Sequence, residues 1–205
     1  MPVLVYELNE VPWDVVDTHV RRRPDGALAR VVSGGACFTT MVGPEALHPW
    51  ISWPTMHRGT EEHGVQFLGQ APSAVPAIWD VALAAGRTVG VFGALPSWPP
   101  APGASFHVPD LFAPDDACVP AALEPFQAFC RGQAATVEAP LSLGSSVAAV
   151  PGLLRRGVRM RSVATAARLA LAARREPVRH AFLPLHASEL ALDVFLACWR
   201  RHRPD

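Results

Sequence analysis

The chain has 205 residues, half of them apolar, and its eighteen basic residues balance eighteen acidic ones to a formal net charge of zero. That length supports one sizeable core, so a single α/β domain over 1–205 is expected. The charge balance excludes a global field that would draw in nucleic acid or an anionic membrane.

Pro2 to Leu8, PVLVYEL, is a short β-branched run of the kind that fills a buried parallel strand, and it ends in the polar pair Asn9-Glu10. Pro12 then opens a helix carrying Trp13, Val15, Val16 and Val20, which should stop near Arg23-Pro24-Asp25-Gly26. Ala36 to Val42 reads as a second strand. The stretch HPWISWPTMHRGTEEHGV, residues 48–65, follows, and Gly59-Thr60 should end its helix. Trp50 and Trp53, three apart, are expected in the core. Pro76 to Ala85 has helical apolar spacing, closed by Gly86 and followed by a strand at Thr88 to Phe92, the second half of a βαβ unit.

Residues 94–120 are rich in proline, and Ala94 to Asp116 reads as a long ordered loop at the carboxyl end of that strand, where open α/β sheets bind ligands. Pro120 to Gln133 reads as a helix, Ala134 to Pro151 has no clear period, and Leu153 to Arg175 reads as one amphipathic helix. A strand at His180 to Leu185 and a helix at Glu189 to Trp199 complete a mainly helical C-terminal part, 153–205. The four cysteines, Cys37, Cys118, Cys130 and Cys198, form no CxxC pair and are expected as buried free thiols. MPVLVYELNE lacks the pattern of a secretory signal, and no apolar run approaches about 18 to 20 residues. A soluble, cytoplasmic protein is the expectation.

Two polar clusters stand out. Asn9 and Glu10, where the first strand ends, either hold a metal or phosphate, or Asn9 caps the following helix through its side-chain oxygen. His57, Glu61, Glu62 and His63 are ligand types suited to Zn²⁺ or Mn²⁺, but no HExxH spacing is present.

The order of these segments carries more than any one of them. A strand ending in a polar pair is followed by a PWD helix, GACFTT, a helix ending in TMHRG, then EEHGV and IWDVALAAGRTVGVFGALPSWPP. Over residues 3 to 100 this resembles the type I phosphodiesterase/nucleotide pyrophosphatase branch of the alkaline phosphatase superfamily. The resemblance implies an alkaline-phosphatase-like fold, a mostly parallel sheet with helices on both faces. It also implies metal-dependent hydrolysis of a phosphorylated small molecule or phosphodiester at a two-metal site, with Zn or Mn as the divalent ion.

Carried over by position, Asn9, Glu10 and His186 become the metal candidates, Thr55 and Ser52 the nucleophile candidates, and His48, His57 and His63 further cleft candidates. The carry-over has departures: Asn9 stands where the family has a ligating Asp, and the nucleophile register falls at or beside Pro49. Two alternatives to an active enzyme follow. One is a non-catalytic relative acting as a binding or interaction module. The other is a shortened product whose missing half a partner chain would supply. If the sheet is incomplete, its edge or the stripe Leu190, Val194, Phe195, Cys198 and Trp199 would be exposed, and a homo-oligomer or a partner chain is expected.

Overall fold

The computed structural model describes residues 2–9, 11–39, 48–65, 72–135, 143–175 and 183–205, apart from the side chains of 133–135, 143–147, 173–175 and 183–187. Its centre is a pair of parallel strands, β1 (Gly90–Phe92) and β2 (Phe106–Val108), in the register Gly90↔Phe106, Val91↔His107 and Phe92↔Val108. Successive side chains in a strand point to opposite faces, and each face of this pair meets its own cluster. Phe106 and Val108, with Phe92 packed against them, join Cys118, Leu123, Phe126, Leu153, Val158, Leu190, Val194 and Cys198. Val91 joins Ala77, Trp79, Ala101 and Ala104 on the other side. The sheet is therefore covered on both faces, as parallel strands require.

The helices supply those covers. α4 (Ile78–Ala84) places Trp79 on the second face. The first face takes α5 (Glu124–Ala135), entered through a 3-10 turn at Ala121–Leu123, together with α6 (Leu143–Arg155) and α8 (Leu183–His202). α7 (Met160–Arg175) packs along α8, and Arg159 ties the two: its Nε lies 2.8 Å from Asp193 Oδ1 and its N–H donates to Asp193 Oδ2 at 2.9 Å. α1 (Trp13–Arg22), α2 (Ala27–Gly34) and α3 (Pro49–Arg58) come earlier in the chain. Among the described residues no helix is long and apolar enough to cross a membrane.

Several expectations are corrected. Pro2 to Leu8 is extended but enters no sheet: its one backbone bond, among the described residues, is Val3 N–H to Asp205 O at 3.2 Å. β-Branched composition supplies propensity, but a strand also needs a neighbour to pair with. Ala36 to Phe38 and Thr39 are likewise outside any sheet, and residues 40–42 lie outside the described residues. The Pro-rich region holds β2, and the segment from Gly93 to Ser105 serves as the crossover that usually contains a helix. Within 134–151, residues from Leu143 onward are helical despite Pro151. The expected single helix over 153–175 is two, broken at Gly157 (φ 103°). Leu183 to Leu185 begin α8 instead of closing a strand, and 180–182 lie outside the described residues. The stripe on α8 is not exposed: Leu190, Val194 and Cys198 are buried, and Phe195 and Trp199 are half-buried. Of the thiols, Cys118 and Cys198 are buried, but Cys37 is exposed.

Gly157 also marks the tightest approach between the break and α8, since a Cβ built there would sit 2.3 Å from the Ala197 Cβ. Gly157→Ala combines overpacking with a left-handed backbone, so it should lower unfolding free energy by about 1–3 kcal/mol or more, read as a drop in urea midpoint at unchanged slope.

Candidate functional site

α3 forms because His48 opens it and Gly59 closes it. The His48 Nδ1 accepts the Trp50 N–H at 3.3 Å, Pro49 occupies the first turn, and Gly59 adopts φ 70° with its N–H bonded to the Thr55 carbonyl. At 100° per residue, Trp50, Trp53 and His57 share one face, while Ser52 and Thr55 lie toward the opposite one.

The first face receives the N-terminal segment. Trp53 Nε1–H donates to Asn9 Oδ1 at 2.8 Å, and His57 Nε2 lies 2.6 Å from Glu7 Oε1. The imidazole of His57 is 5% exposed, stacked near Trp53 (centroids 6.1 Å, 26°) and tilted against Trp79 (5.1 Å). With Nε2 turned to the carboxylate, Nδ1 is left buried and without a hydrogen-bond partner among the described residues. Such a carboxylate–imidazole pair orients the ring and fixes its tautomer. Glu7 was not among the residues singled out from the sequence, since nothing local in PVLVYEL marks it.

The other expected site residues have structural roles. The Ser52 hydroxyl donates to the His48 carbonyl at 2.9 Å and the Thr55 hydroxyl to the Ile51 carbonyl at 2.7 Å, the four-back bonding common for hydroxyls inside helices. Asn9 does not cap α1, whose N-cap is Pro12 without a side-chain bond. The buried His63 turns back on its own loop, its Nδ1 accepting the Val65 N–H at 3.0 Å. Burial pushes its pKa down, with Arg58 adding to the effect and the Ile51 carbonyl opposing it. Glu10 and the side chain of His186 lie outside the described residues, and the backbone of His186 belongs to α8 instead of following a strand.

The metal expectation meets a plain chemical test. Asn9 Oδ1 is engaged by an indole N–H, and among the described residues no three His, Cys, Asp or Glu side chains stand together as a ligand set. The described residues thus do not supply the divalent site that the resemblance implies.

A second polar knot lies at the carboxyl edge of β1 and β2. The Ser97 N–H donates to Asp110 Oδ2 at 3.2 Å, the Gln127 amide donates to the Asp110 carbonyl at 2.8 Å, and His107 Nδ1 accepts the Ala101 N–H at 3.0 Å. Ser97, His107 and Asp110 are all buried. They have the residue types of a nucleophilic triad without its chemistry. Neutral His107 must carry its proton on Nε2, because Nδ1 is an acceptor, so it has no free lone pair for the Ser97 hydroxyl. Burial holds it neutral, its pKa pushed down to about 4, partly opposed by the Ser97 carbonyl and Asp80.

No protein-family model, curated protein or solved structure matches the chain.

Two outcomes follow from this geometry. Glu7→Leu removes the acceptor of a buried N–H and should cost about 1–3 kcal/mol in urea unfolding. For His107 and His63, the folded pKa lies below the unfolded value near 6.5. As pH falls below about 6.5 the unfolded chain binds protons first. The contribution of each is therefore whole above that pH and is lost as the pH falls below it, that of His107 on the way down to about 4 and amounting to about 3 kcal/mol. Urea midpoints measured from neutral pH down to about 5 should fall less steeply in His107→Gln than in the natural sequence.

Proposed function

We propose that this chain is a non-catalytic α/β relative of the type I phosphodiesterase branch of the alkaline phosphatase superfamily, acting as a binding or interaction module. The observation that carries this reading is the engagement of the catalytic positions. Ser52 and Thr55 each donate to a helix carbonyl, and Asn9 Oδ1 accepts the Trp53 indole N–H. Groups held in this way stabilise α3 and the segment across it. What supports the reading of kinship is the order of segments: α3 closes at Gly59 before EEHGV, and a helix, Gly86 and a strand follow in that order. A metal-dependent hydrolase is the second reading, favoured by the oriented Glu7–His57 pair, whose imidazole has the chemistry of a general base.

Hydrolysis of bis(p-nitrophenyl) phosphate with added Zn²⁺ or Mn²⁺ separates the two. No turnover above the metal-only blank is expected from the natural sequence. Metal-dependent turnover that Ser52→Ala or Thr55→Ala abolishes would overturn the proposal and name the nucleophile.

A further inference from the structure

The helices α6 and α7 carry a local charge that the balanced whole conceals. From Leu143 to Arg175 the sequence holds seven arginines and no Asp or Glu. Arg156 donates to the Ala122 and Gly152 carbonyls, and Arg159 pairs with Asp193. The exposed side chains of Arg161 and Arg168 engage no carboxylate or carbonyl among the described residues. Beside them runs an apolar line: Met160 is 62% exposed and Leu171 54%, with Ala164 and Ala167 exposed between them. At 100° per residue the four fall within about 60° of one another along about 16 Å of α7, with Arg161 and Arg168 on one flank, about 80–100° from Met160. The other side of the helix is already used, since Ser162 is buried and Val163 packs on the first core cluster.

What fits this face follows from its width and its charge. The spacing 160, 164, 167, 171 alternates four and three, which is the seam of a coiled coil, narrower than the apolar stripe of about 100° or more by which a helix meets a broad apolar surface. Arg161 and Arg168 recur at the same seven-residue interval, about 10 Å along the axis, on the flank where charges select the partner of such a seam. A second copy of α7 offers them no acid, because the helix has none. Nucleic acid would answer the arginines and leave Met160 and Leu171 in water. A helix whose apolar seam is flanked by Asp or Glu every seven residues answers both.

We infer that this face of α7 docks an acidic amphipathic helix of a partner protein. The inference holds whether or not the α3 site is catalytic. Fluorescence anisotropy with the full chain tests it, using a labelled four-heptad peptide with Leu at the seam positions and Glu on both flanks, and a second peptide with Lys in place of Glu. The natural chain should bind the Glu peptide and not the Lys peptide. Arg161→Glu/Arg168→Glu should weaken the Glu peptide by roughly tenfold or more and take up the Lys peptide instead. Leu171→Asp should weaken the Glu peptide by roughly tenfold as well. All three side chains are exposed, so these variants should keep the fold, which circular dichroism and an unchanged urea midpoint verify. A natural chain that ignores the Glu peptide or binds both peptides alike, or Glu-peptide binding that survives the arginine reversal, would overturn the inference. Sedimentation of the natural chain with phosphatidylcholine–phosphatidylserine vesicles, lost in the same arginine variant, would assign the face to a membrane and overturn it too.

Discussion

One residue holds four parts of the molecule in register. His107 sits in the middle of β2 with no exposed surface. Its main chain exchanges both hydrogen bonds with Val119, at 2.6 and 2.9 Å, on the side away from β1. Its imidazole closes the crossover loop through the Ala101 N–H, and its ring meets Trp79 of α4 edge-on at 6.0 Å. A charged imidazole there would lose solvation and repel a donor, so the fold depends on His107 remaining neutral in one tautomer.

From that point the layers follow. The register that sets Val91 beside His107 sends Phe106 and Val108 to the opposite face, where the C-terminal helices gather. Phe106 lies over Gly90 so closely that a Cβ there would come within 2.2 Å of its ring, so no larger residue fits without moving it. Trp79 reaches from His107 on one side to His57 on the other, and so joins the sheet to α3. The N-terminal segment is held by two side-chain contacts to α3 and the single Val3 N–H to Asp205 O bond instead of a ladder. Residues that resemble a catalytic set serve as ties here: Asn9 and His57 join α3 to the N-terminal segment, while Ser52 and Thr55 bond within α3, because each polar group needs a partner close at hand.

What could be read from the sequence was local. α3, α4, β1, α5 and the greater part of α8 were legible because apolar spacing and the stops at Gly59 and Gly86 are encoded within a few residues. β2 was not, since three residues between prolines become a strand only by pairing with β1. Pro2 to Leu8 failed for the converse reason, having strand composition without a strand beside it. In the site, His57 was among the candidates, but its partner Glu7 is fifty positions away, and Asn9 meets Trp53 across a separation of forty-four. No periodicity reports such pairs. The back-bonding of Ser52 and Thr55 was open to reading, because a hydroxyl inside a helix has a carbonyl four residues behind it.

The most direct test of this account is the protonation of His107, followed by long-range ¹H–¹⁵N correlation of its imidazole from neutral pH downward. The account predicts a neutral ring with a bare Nδ1 and a proton on Nε2, unchanged through the ordinary histidine range and charging only near 4. An imidazolium forming near 6.5, or a proton on Nδ1, would contradict it, because neither form can accept the Ala101 N–H.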